Sequence, residues 1–310
     1  MSNKIFSISS AFVLGASFAV ADVPKVAVDI APVHSLVSKV MNGLGEPKLI
    51  IPAEASPHEY QLRPSEAKAL QEAKLVFWIG EDLTPWLEKG LSTLASEATI
   101  TALLEVDGIK LLDFREGALF EAHDHDDHSD HDDHDDHDDH GEHDPHAWLS
   151  PGIAKVWLNL IAAKLSEVDP SNASTYFSNA SSANKDLDSL SDEINKILDP
   201  IRKEKFVVFH DAYQYFEKHF NISASGAISL GDASDPSPAR LKEIKERVEK
   251  EDIHCVLAEP QYKEGLVKAV IEGTHANNAV IDPLGVSLEI GPNLYDKLIR
   301  NLAINLSKCF

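Results

Sequence analysis

Nine of the fifteen histidines of this 310-residue chain lie between His123 and His146. They are His123, His125, His128, His131, His134, His137, His140, His143 and His146, and from His125 the pattern His-Asp-Asp repeats with a period of three. Neutral imidazoles and carboxylates at this density bind divalent cations such as zinc, weakly and in many arrangements. A segment with almost no apolar side chains cannot offset the entropy of ordering itself, so residues 115–143 are expected to form a mobile loop. A plain acidic insertion would need no histidine, so the run points to metal. A flexible run still suits scavenging or sensing better than one tight site, because each binding event must order it.

A tight site needs a few ligands on rigid elements. Three histidines and one carboxylate stand where such elements would hold them. His58 lies in Ala55-Ser56-Pro57-His58-Glu59-Tyr60, after a short apolar run. His146 closes the acidic run just before a helical pattern. His210 follows Phe206-Val207-Val208-Phe209, and Asp282 follows Val280-Ile281. All four follow the carboxyl ends of expected strands, where open α/β sheets bind ligands. Three imidazoles and one oxygen suit tetrahedral zinc, whereas manganese prefers more oxygen. The oxygen could come from Asp282, from Glu59 or from water. His34, His219, His254 and His275 read as structural or surface residues, and Tyr60 and Trp148 as packing residues.

The elements that must position these residues follow an α/β pattern. Apolar runs at 25–30, 48–51, 75–80 and within 100–112 alternate with helical stretches. After 200 the alternation resumes, with strands expected at 206–209, 222–229, 253–258 and 279–281. Such alternation implies mostly parallel sheets flanked by helices. The expected architecture is two lobes of about four strands each. Residues 22–165 form the N-terminal lobe and 200–310 the C-terminal lobe. The stretch 166–199 forms a linking helix, with Leu187, Leu190, Ile194 and Ile197 at helical spacing.

Composition narrows the function. The formal net charge is −23, which argues against a nucleic-acid partner. Thirteen of the acidic residues fall between Glu121 and Asp144, where there is no Lys or Arg. Lys4, an apolar stretch from Ile5 to Val20 and Ala19-Val20-Ala21 read as an export signal cleaved after Ala21. In an exported protein the two cysteines, Cys255 and Cys309, suggest a disulfide, and their spacing is wrong for a zinc ribbon. A zinc hydrolase with Glu59 as general base would need an open metal position, and no HExxH motif is present.

Several stretches together carry a family resemblance. PHEYQLRPSEAKAL (57–70), DPHAWLSP (144–151), FVVFHDAYQYF (206–216), LAEPQY (257–262) and IDPLG (281–285) resemble the metal-binding (cluster A-I) substrate-binding proteins of bacterial ABC importers, specifically the zinc-uptake members. The resemblance spans essentially the whole mature chain, and a His-rich insertion before DPHAWLSP is typical of those members. It implies His58, His146 and His210 as zinc ligands, with His210 where manganese-type relatives carry Glu. Asp282 matches the carboxylate that completes the manganese site. Pro57 stands where some zinc members carry Glu, and Cys255–Cys309 matches a disulfide of Gram-negative members. The resemblance further implies a monomeric periplasmic protein that is not an enzyme and carries Zn2+ as cargo. Its partners would be an inner-membrane permease with its ATPase, with another periplasmic zinc-binding protein as a further candidate. A manganese- or iron-binding member of the same family is the alternative.

Overall fold

A computed structural model describes residues 23–115, 120, 143–229 and 236–310. The expected signal at 1–21 and the histidines from His123 to His140 lie outside the described residues; His143 lies within them.

The N-terminal lobe holds β1 (Val26–Val28), α1 (Ala31–Val40), β2 (Lys48–Leu49), α2 (Pro64–Glu72), β3 (Leu75–Trp78), α3 (Pro85–Leu94) and β4 (Thr99–Ala102). Its strands are all parallel, in the order β2-β1-β3-β4. Two helices follow, α4 (Pro151–Val168) and α5 (Ala173–Leu198). The C-terminal lobe holds β5 (Phe206–His210), α6 (Gln214–Phe220), β6 (Gly226–Ser229), α7 (Pro238–Lys250), β7 (Cys255–Ala258), α8 (Glu264–Ile271), β8 (Asn277–Val280) and α9 (Leu294–Ser307). Its sheet, also parallel, runs β6-β5-β7-β8. Two four-stranded parallel sheets flanked by helices are the architecture expected from the sequence.

The central strands are apolar without alternation because both faces are covered. VAV in β1, LVFW in β3 and CVLA in β7 are buried at every position. Proline in the first turn sets the start of α1, α2, α3, α4 and α7, where its fixed φ suits a helix and its missing N–H costs nothing. In α5, Tyr176, Ala180, Ala183, Leu187, Leu190, Ile194 and Leu198 are buried at intervals of three or four. That single stripe packs on α4 and α9. The long helix begins later than 166: α4 runs on to Val168, and a 3-10 turn at Pro170–Asn172 precedes α5. The strand at 222–229 shortens to Gly226–Ser229.

α9 packs on α1 and α5 as well as beside β8. One hydrophobic core therefore runs from Val26 in β1 through Leu190 in α5 to Leu306 in α9. A smaller cluster, including Val207, Ile244, Val256 and Val270, fills the space under α7 and α8. Cys255 and Cys309 form a disulfide that ties the start of β7 to the end of α9. Among the described residues no helix is long and apolar enough to cross a membrane.

Candidate metal centre

The end of β5 carries His210, and the loops that lead into α2 and α4 bring His58 and His146 to the same cavity of about 220 Å³, which Glu59, Trp148, Glu259, Gln261 and Tyr262 also line. The ring centroids of His58 and His146 are 5.8 Å apart, and those of His146 and His210 5.3 Å. Zinc binds imidazole nitrogen at ~2.1 Å, so two rings on one tetrahedral ion would lie about 5 Å apart, centre to centre. The observed spacings are close to that figure. Even so, among the described residues no group of three or more His, Cys, Asp or Glu is already closed so as to hold a metal ion. The three rings surround the cavity rather than clamp one point within it.

Each buried ring is oriented by its own carboxylate. His146 Nδ1 donates to Asp144 Oδ1 at 2.7 Å, and the same oxygen accepts from the His146 backbone N–H at 3.0 Å. His210 Nδ1 donates to Glu259 Oε1 at 2.7 Å. A carboxylate can only accept here, so in the neutral ring the proton sits on Nδ1 and the lone pair on Nε2. This is how a metal-binding imidazole is usually prepared. Asp144, His146, His210 and Glu259 are all buried. His58 is half-buried on the loop before α2, and Trp86 Nε1 holds that loop by donating to the Pro57 carbonyl at 2.8 Å.

Asp282, also expected at the site, is engaged elsewhere. Its Oδ1 accepts from the backbone N–H groups of Leu284 (3.0 Å) and Gly285 (2.9 Å), and its Oδ2 from that of Val286 (2.6 Å). Gly285, at φ 77°, makes the turn that these bonds close. Gln261 Nε2 adds a fourth donor at 3.3 Å. The neighbours Pro283 and Leu284 line the cavity. Glu59 lies at its rim and is exposed.

At the base of the His-rich run, His143 Nδ1 lies 3.1 Å from Asp113 Oδ1, and the two residues form an isolated antiparallel bridge. Arg115 makes ion pairs with Asp211, the residue after His210, and with Glu217 in α6. Its guanidinium also lies over the Phe120 ring. Burial pushes the Asp211 carboxyl up, and Arg115 opposes that shift. Burial pushes the Tyr213 phenol well up too, with the Glu259 charge adding to the effect.

Sequence reasoning did not single out Asp144, Glu259 or Gln261. Two signals were available. Asp144 stands two residues before His146, and Glu259 directly follows β7, as a ligand from that strand would.

Two α/β lobes, joined by a long helix around a histidine-lined cleft, define a two-lobed binding protein. The family model for ZnuA, zinc-uptake complex component A, periplasmic, matches residues 26–309. The high-affinity zinc uptake system protein ZnuA of Brucella abortus (strain 2308) is 45% identical over 303 residues, 92% of this chain and 91% of that protein. Its counterpart in Paracoccus denitrificans (strain Pd 1222) is 40% identical over 301 residues, 93% and 92% of the two chains. In fold, the chain is similar to a crystal structure of ZnuA with a TM-score of 0.75 at 23% identity, covering 93% of this chain and 99% of that one. The laminin-binding adhesin Lmb of Streptococcus agalactiae, as a mutant structure, gives 0.75 at 21% identity, covering 92% and 98%. The chain belongs to the ZnuA family of periplasmic zinc-uptake components.

Proposed function

We propose that this chain captures Zn2+ in the periplasm through the imidazoles of His58, His146 and His210 and delivers it to the permease of an ABC importer driven by its ATPase. The observation that carries this reading is the pair of buried rings, His146 and His210, each oriented by its own buried carboxylate towards a cavity shared with His58. The tautomer is set before metal arrives, so little ordering remains to oppose binding. Relatives named as high-affinity zinc uptake proteins support zinc as the cargo. His210, a nitrogen donor where an oxygen would favour manganese, supports it further.

Release of intact metal, not turnover, is the task of such a site, and the cleft serves capture and handover. The export signal is cleaved after Ala21. The run from His123 to His143 is an accessory segment that raises local zinc concentration.

Calorimetry on a variant lacking residues 123–143 tests the assignment. His58→Ala, His146→Ala and His210→Ala should each abolish tight Zn2+ binding in that background. Tight binding that survives loss of all three histidines would overturn it. Acidification should also weaken binding, because a protonated imidazole has no lone pair for the metal.

A further inference from the structure

The geometry points to Gln261 as the residue that sets the metal preference of the cleft, by holding the Asp282 carboxylate outside the metal's shell and presenting its own amide oxygen to a water in the fourth position. This rests on the three-histidine reading above.

Gln261 follows β7 and lines the same cavity as His58, His146 and His210. Its Nε2 lies 3.3 Å from Asp282 Oδ1. Because a carboxylate oxygen only accepts, the amide nitrogen must face Asp282 and the amide oxygen must face away. That oxygen, Oε1, is buried and has no hydrogen-bond partner among the described residues. A buried acceptor left unmatched is costly, and a donor supplied by the ligand would satisfy it. Metal-bound water is such a donor, since the cation polarises its O–H bonds.

Asp282 is committed on its side. Leu284, Gly285 and Val286 donate three backbone N–H groups to it and Gln261 the fourth. Four donors match the roughly four lone-pair positions of a carboxylate. With the carboxylate so occupied, the ion meets three imidazoles and a neutral water, a set suited to tetrahedral zinc. A carboxylate released into the shell would add the hard anionic oxygen that manganese favours. Gln261 is thus a positioning residue acting through Asp282 and through the water.

The experiment uses the mature chain with Gln261→Leu and Gln261→Met, which remove the amide at similar volume. Co2+ serves as the spectroscopic probe, and Zn2+/Mn2+ competition is measured by calorimetry. The wild type should show the intense visible bands of tetrahedral Co2+. The variants should show the weaker bands of a higher-coordinate ion, with the Zn2+/Mn2+ affinity ratio reduced about 10-fold, the lower end of the effect of outer-shell changes. Asp282→Asn alone should leave Zn2+ affinity within about 3-fold, well short of the loss of a ligand. Gln261→Leu combined with Asp282→Asn should recover the tetrahedral spectrum. Folded Gln261 variants with wild-type spectrum and ratio would overturn the proposal, as would loss of tight Zn2+ binding in Asp282→Asn alone. If both Gln261 variants fail to fold, the Asp282→Asn result still decides. If His146→Ala and His210→Ala keep tight Zn2+ binding, the three-histidine reading itself fails. If they lose it while the Gln261 variants match wild type, only the role of Gln261 fails.

Discussion

Asp29, directly after β1, is almost completely buried, with both oxygens in use: Oδ1 accepts from the Ile30 N–H at 2.7 Å and Oδ2 from the Ile79 N–H at 2.6 Å. Burial pushes its carboxyl up to about 7, and the two backbone bonds act against that rise. An unfolded aspartate titrates near 3.9. Between about 4 and 7 the folded chain therefore keeps a proton that the unfolded chain has lost. Its contribution to stability falls as pH rises through that window and levels off above it. Asp29→Asn removes the titration. It also leaves one side-chain oxygen for two N–H groups, a loss of about 1–3 kcal/mol. In thermal melts between pH 4.5 and 7.5, wild type should lead the variant most at low pH, with the gap closing as pH rises. Parallel curves would refute the assignment. Legibility at this scale follows residue type. His58 and His210 could be read from sequence because histidine is scarce outside the run, and His146 because it closes the run just before a helical pattern. Asp144 and Glu259 could not, because the chain has 51 acidic residues and only distance to a ring nitrogen distinguishes these two.

The elements were largely legible for a different reason. A strand covered on both faces must be an unbroken apolar run, and α5 must bury one stripe, so both periods were visible in the residues. Strand order was not, because LVFW carries no mark of its partner. The order β6-β5-β7-β8 matters here, since it sets the end of β5, which carries His210, beside the end of β7, which precedes Glu259. The disulfide acts at the other end of β7. Cys255 opens that strand, and its partner Cys309 lies 54 residues on, after α9. Closing a loop of that length stabilises the folded state by ~4 kcal/mol on the chain-entropy model. Cys255→Ser with Cys309→Ser should therefore lower the melting temperature markedly, with Zn2+ affinity by calorimetry close to wild type, because the metal residues sit at the opposite strand end. An unchanged melting temperature would show that the constraint contributes nothing.

At the scale of the molecule, the decisive feature is that the two sheets share one core. α5 and α9 pack on each other, and both contact α1. Trp148 Nε1 donates to the Pro283 carbonyl at 2.8 Å, and Tyr295 OH donates to the Trp148 carbonyl at 2.8 Å. The Tyr295 N–H donates to Ser35 Oγ, and Lys39 pairs with Asp296. Hinge closure needs a few loop residues to absorb the motion while the lobes move as separate bodies. Here closure would shear a shared apolar core, and packed cores resist continuous deformation. The sequence pattern showed a long helix between two lobes, but not that α9 returns to α1, because that packing joins residues some 260 positions apart. Capture should therefore be local. On Zn2+ loading, the radius of gyration from small-angle scattering should stay constant within error. Hydrogen exchange should slow in the segments around His58, His146 and His210 while α5 remains as protected as before. A clear fall in the radius, or protection spreading along α5, would mean that the lobes close as bodies and that the shared core yields after all.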